Sequence, residues 1–317
     1  MSFSSSLRSY YWRALRRFSI LRVHSLTQYT YSSLDTFLKR DTYDNGVHKI
    51  LAAPGVYLDV LLLDNPFDIP SSSRIPVFFS GAVTDREGTS PPYFSGRSFA
   101  RKLGQGIIAI SDPIFYCDDK ITTGWYTGLP GWHTQSAITQ ILKKFSSMSE
   151  RNVLCIGGSA GGFAALEAAS SVDGAAAFVW NAQTSILDYG GYHIRPWMDL
   201  LFNKEWDKGG LWRQCAENLL EPTDIVHDVT SLRLPDNLLY LQNDTDWHVE
   251  KHLEPYVNAH DMREVGDGVY QGTSRQIIAL AHFGDGHVQP PRELILRATR
   301  EMTNKNIPTQ EVYELLF

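Results

Sequence analysis

The sequence predicts an α/β protein built on a mostly parallel sheet with helices on both faces. Three observations lead there. Short apolar runs recur along the chain, segments of helical periodicity separate them, and residues 152–170 read as a strand, a tight turn and a helix in direct succession. A chain of 317 residues with 43% hydrophobic and 20% charged content has material for one large α/β domain or two modest ones.

Residues 1–48 differ in character from the rest of the chain. Arg8, Arg13, Arg16, Arg17 and Arg22 precede the first acidic residue, Asp35, and Tyr10, Tyr11, Trp12 and Phe18 are interleaved with them. This stretch is expected to be a helical basic and aromatic extension, making a peripheral membrane or protein contact or packing on the main domain. The serine-rich opening, Ser2 to Ser6, is expected to be disordered. From 49 to 317 one domain is expected. Strands are predicted over 57–63, 75–79, 107–110, 153–156, 175–180, 237–241 and 276–280, and helices over 94–103, 135–145, 252–259, from Phe163 and from Arg292. In open sheets of this kind the site forms at the carboxyl ends of the strands.

The central stretch carries Gly157-Gly158-Ser159-Ala160-Gly161-Gly162. Two nucleotide-binding templates fail on it. No lysine follows the turn, as a phosphate loop requires, and Ser159 stands where a dinucleotide fingerprint needs its second glycine. A G-x-S-x-G turn does fit, with Gly157 and Gly161 two residues to either side of Ser159, because strand and helix approach closely there. A purely structural glycine turn is the bland alternative. After the strand at 237–241 comes Asn243-Asp244-Thr245-Asp246-Trp247-His248-Val249, and after the strand at 276–280 comes a loop holding His282, Gly286 and His287. A serine nucleophile needs a base, and the base needs a carboxylate to fix its tautomer.

On these residues the chain resembles the α/β-hydrolase superfamily, whose nucleophile elbow has this form and whose triad runs serine, acid, histidine along the chain. The resemblance implies Ser159 as nucleophile, Asp246 as acid with Asp244 as its competitor, and His287 as base with His282 as the alternative. It also implies an oxyanion hole from the backbone N–H of Ala160 and of a residue in the Ser80-Gly81-Ala82-Val83 loop, Ala82 first and Gly81 next. A cap insertion is expected over about 181–234, with Tyr189, Tyr192, His193, Trp197, Trp206 and Trp212 supplying either a substrate surface or the cap's own core. Trp125, Trp132, Trp197 and His248 are the substrate-binding candidates, with His252 beside them. The Phe79-Ser80-Gly81-Ala82 loop, the elbow and the Gln242-to-His248 segment are also similar to bacterial hydrolase-like proteins of capsule and adhesin-glycan biosynthesis.

The resemblance implies a serine esterase on an ester, an acylated carbohydrate among them, with an O-acyltransferase acting on a glycan and a non-catalytic assembly partner as alternatives. It implies no cofactor and no metal. A net charge of −6 gives no footprint for nucleic acid. Three scattered cysteines, no long apolar run and no secretory leader lead to the expectation of a cytoplasmic protein without disulfides.

Overall fold

The computed structural model describes residues 26–202 and 211–317. They form an eleven-stranded sheet in the order β1-β2-β3-β5-β4-β6-β7-β8-β11-β10-β9. The strands are β1 (Gln28–Tyr31), β2 (Gly46–Ala53), β3 (Val56–Leu63), β4 (Ile75–Phe79), β5 (Ile107–Ser111), β6 (Val153–Gly158), β7 (Ala176–Trp180), β8 (Asn237–Asn243), β9 (Arg263–Gly266), β10 (Val269–Gln271) and β11 (Gln276–Ala281). From β5 through β4, β6, β7 and β8 to β11 every pairing is parallel. β3 runs antiparallel to both β2 and β5, and β9 and β10 add an antiparallel edge.

The central strands are apolar along their whole length because both faces are covered. One face carries Val77, Phe79, Val153, Cys155 and Val179, the other Phe78, Leu154, Ile156 and Phe178, and each set belongs to its own buried cluster. The helices α1 (Leu34–Leu38), α2 (Ala100–Leu103), α3 (Thr134–Ser149), α4 (Ala160–Ser171), α5 (Gly191–Phe202), α6 (Trp212–Leu220), α7 (Glu254–Ala259), α8 (Arg292–Thr303) and α9 (Thr309–Leu316) complete the layers. No helix among the described residues is long and apolar enough to cross a membrane.

Two stretches of the chain differ from expectation. Within the stretch expected as a helical extension, β1 and β2 join the sheet, and β2 runs through the boundary set at 48. Their pattern is hidden because His48 and Lys49 interrupt the apolar residues of β2 with polar side chains that are internally satisfied. His48 bonds Tyr31 Oη at 2.9 Å through Nδ1 and donates from Nε2 to the Asp44 carbonyl at 2.9 Å. Lys49 donates to the buried Asp59 at 3.0 Å, and Tyr116 donates to the same carboxylate at 2.7 Å. The arginine-rich residues 1–25 lie outside the described residues. The helix expected over 94–103 shrinks to α2, because Gly96 has φ +79° and a Cβ there would sit 2.2 Å from the Phe78 ring.

Candidate active site

The turn between β6 and α4 sets the site. Ser159 adopts φ 54° and ψ −124°, a conformation that costs a non-glycine residue energy and persists only where its surroundings enforce it. The enforcement is visible at the flanking glycines. A Cβ on Gly157 would lie 2.2 Å from the Gly161 carbonyl oxygen, and one on Gly161 would lie 2.7 Å from the Phe79 carbonyl oxygen. Both obstacles are backbone, so neither position tolerates a side chain. The strand end, the helix start and the loop after β4 are thereby pressed together around Ser159.

The acid and base come from the loops after β8 and β11. His287 Nδ1 lies 2.6 Å from Asp246 Oδ2. A carboxylate only accepts, so Nδ1 carries the hydrogen and Nε2 is left with its lone pair, the tautomer a general base requires. The Asp246 side chain is fully buried, while that of His287 is 41% exposed. Burial pushes the Asp246 carboxyl up, but the hydrogen bond from His287 and the nearby His248 outweigh it and hold the group below its usual value. The competing residues, Asp244 and His282, pair with one another at 2.9 Å on the surface. Ser159 and His287 line one cavity of about 640 Å³, together with Gly81 and Ala82. Among the described residues, the hydrogen bond to Ser159 Oγ comes from Gln183 Nε2 at 3.4 Å.

The loop after β4 is held by a relay. Buried Asp112 accepts from the backbone N–H of Ile114 at 3.1 Å and of Tyr126 at 2.8 Å. Burial pushes its carboxyl up to about 6, partly offset by those two N–H groups. Tyr126 Oη in turn accepts from the Ser80 N–H at 2.7 Å and donates to the Ile110 carbonyl at 2.9 Å. The Ser80 N–H is thereby consumed. No acceptor among the described residues takes the N–H of Gly81 or Ala82, and a Cβ on Gly81 would lie 4.0 Å from that of Ser159.

Two asparagines that the sequence reading did not assign a structural role bind the acid and base loops together. Asn243, at the end of β8, donates to the carbonyls of Gly284 at 2.7 Å and Gly286 at 2.6 Å and accepts from the Phe283 N–H at 2.7 Å. Asn181, at φ 43° just after β7, accepts from the Asn243 N–H at 2.8 Å and donates to the Val288 carbonyl at 2.8 Å. Asparagine at a strand end, where it tolerates left-handed backbone and offers both donor and acceptor, was the available signal.

Three of the four substrate-binding candidates take other places. Trp125 is 1% exposed and its Nε1–H donates to Gln183 Oε1, so it orients the side chain that reaches Ser159. Trp197 is buried, with Nε1–H donating to Thr127 Oγ1 at 2.8 Å and its ring against Trp125. His248 is buried and donates from Nδ1 to the Asn181 carbonyl at 3.0 Å. Burial pushes His248 down to about 4 and His252 down to about 3, so both are uncharged at neutral pH. Trp132 is half-buried against the main core, and Trp206 lies outside the described residues.

The insertion between β7 and β8 carries α5 and α6 where a cap was expected; Gln183 at its start reaches Ser159 Oγ, but neither α5 nor α6 lines the Ser159 cavity. Tyr189 from this insertion stacks on Trp247 at 5.7 Å and meets His248, covering the acid loop instead. Part of the cavity wall is supplied by Ser95, Gly96, Ser98 and Phe99 and by Arg292 and Ile295 of the first turn of α8. Asp246, His248 and His287 also bring ligand atoms within 4.8 Å of one another, but the Nδ1 hydrogens of both imidazoles are already committed to Asp246 and Asn181.

A parallel sheet with the serine turn after β6, the acid after β8 and the histidine after β11 defines the architecture. The chain has the α/β-hydrolase fold. Among solved structures it is similar to the capsule O-acetyltransferase of Neisseria meningitidis serogroup A, with 14% identity, 84% of this chain and 96% of that chain covered, and a TM-score of 0.53. It aligns less closely with an S-formylglutathione hydrolase from Agrobacterium tumefaciens, at 13% identity, 81% and 91% coverage and a TM-score of 0.47. Esterase 2 of Thermogutta terrifontis aligns at 13% identity, 82% and 92% coverage and a TM-score of 0.45. No protein-family model and no curated protein matches the sequence. At 14% identity the likeness to the capsule enzyme shows the fold alone.

Proposed function

We propose that the protein is a serine hydrolase that cleaves an ester through an acyl-enzyme on Ser159. The observation that carries the reading is the strained Ser159 sharing one cavity with a histidine whose Nδ1 is fixed by a buried carboxylate. His287 Nε2 takes the Ser159 hydroxyl proton as Oγ bonds to the ester carbonyl carbon. The oxyanion so formed is held by the N–H of Ala160 and of Gly81 or Ala82, donors of which each is worth about a hundredfold to a thousandfold in turnover. The ester C–O bond then breaks, and the departing alcohol takes the proton from His287. Water adds to the acyl carbon while giving a proton to His287. The Oγ–C bond breaks, Oγ recovers that proton, and the carboxylic acid leaves.

Transfer to a glycan hydroxyl uses the same residues and differs only in what resolves the acyl-enzyme. O-acetyl transfer is the activity named for the capsule enzyme of the same fold. Turnover of p-nitrophenyl acetate, with and without an added sugar acceptor, tests both. The parent releases nitrophenol in multiple turnovers and Ser159→Ala does not. Release that persists in Ser159→Ala would remove the serine from the mechanism.

A further inference from the structure

The wall of the Ser159 cavity has an uneven chemistry. Of the side chains that line it, only His287 and Arg292 can carry charge, and no carboxylate is among them, although the chain as a whole has a net charge of −6. Arg292 opens the first turn of α8, an exposed position, and its guanidinium lies over the Phe99 ring at 5.3 Å, a cation–π contact that favours this direction. The neighbouring acid, Glu293, pairs with Lys102 at 2.8 Å and feels Arg292 only through its charge, so Arg292 forms no ion pair among the described residues. Ser95, Ser98 and Gln289 add hydroxyl and amide groups to the same cavity.

A planar cation set over an aromatic ring, in no ion pair among the described residues and sharing its cavity with hydrogen-bonding groups, matches a carboxylate or phosphate in two-point geometry. We propose that the ester substrate carries an anionic group that Arg292 holds within the Ser159 cavity. The inference rests on the ester-cleaving reading above for its reaction and on Arg292 for its specificity. An anionic group on the acyl side and one on the alcohol side are both compatible with one cavity.

Two matched pairs of esters separate these sources. One pair is p-nitrophenyl hexanoate and the mono-p-nitrophenyl ester of adipic acid. The other is phenyl acetate and 4-acetoxybenzoate. The parent is expected to favour the anionic member of at least one pair by about tenfold in kcat/KM, the order of a charge-assisted hydrogen bond at a partly open site. Arg292→Gln brings that ratio to about one, Arg292→Lys retains part of it, and Arg292→Glu inverts it. A parent ratio near one in both pairs, or a preference that survives Arg292→Gln, overturns the proposal. If no ester is turned over, calorimetric binding of monobutyl adipate to Ser159→Ala decides the matter separately. Binding that vanishes when Arg292→Gln is added supports the anion site, and binding indifferent to Arg292, or no binding, refutes it.

Discussion

Glu167 lies in the elbow helix α4 with 4% of its surface exposed, and among the described residues its side chain accepts only from Ser171 Oγ, at 3.1 Å. Burial pushes its carboxyl from 4.5 up to about 7, and the Ser171 hydrogen bond only partly offsets this. The folded value lies above the unfolded one, so the favourable contribution is fully present below about pH 4.5 and is lost as pH rises towards 7. Above that window the folded state bears a penalty of about 3 kcal/mol, from the size of the shift at roughly 1.4 kcal/mol per pKa unit. Glu167→Gln removes the titration. Urea unfolding at a series of pH values from 4 to 9 is the assay, read as variant minus parent. That difference is expected to rise by about 3 kcal/mol between pH 4 and 8 and then level off. Any constant cost of burying the amide shifts the curve without changing its slope, and the titrations of Asp112, His248 and His252 cancel in the difference. A flat difference across the window would refute the assignment of a neutral buried Glu167.

Asp246→Asn is expected to lower kcat for p-nitrophenyl acetate by about a thousandfold to ten-thousandfold with KM little changed, because an amide can present N–H to His287 Nδ1 and select the wrong tautomer. Steady-state kinetics checks it, and Asp244→Asn, altering only the surface pair, should leave kcat within about twofold. Tyr126→Phe orphans the Ser80 N–H and the Ile110 carbonyl, so about 1–3 kcal/mol of stability should be lost in urea unfolding. Turnover should fall about tenfold as the Gly81-Ala82 loop loosens.

How much of the molecule could be read beforehand depends on where each constraint lives. The elbow was legible because its demand is local: a side chain at 157 or 161 would strike backbone within 2.7 Å, so the sequence has to spell glycine there. Asp246 and His287 were legible by their order after apolar strands, and the structure brings these two together at 2.6 Å while Asp244 and His282 pair elsewhere. Trp125, Trp197 and His248 misled for the opposite reason. An aromatic beside polar neighbours reads the same whether its N–H faces a ligand or, as here, Gln183, Thr127 or the Asn181 carbonyl. β2 was hidden by His48 and Lys49, whose partners Tyr31, Asp59 and Tyr116 come from distant points of the chain. The part of the cavity wall made by Ser95, Gly96, Ser98 and Phe99 was concealed by the left-handed backbone of Gly96, which ends a pattern that otherwise reads as helix.

The proposed chemistry stands or falls on Ser159 being an activated nucleophile. Labelling of the intact protein with a fluorophosphonate probe, followed by peptide mapping, is the sharpest check, because the probe bonds only to a serine whose base is in place. Modification is expected at Ser159 in the parent, none in Ser159→Ala, and a rate in His287→Ala reduced by at least about a hundredfold. A folded parent protein that remains unlabelled, or one labelled at another serine, would overturn that assignment.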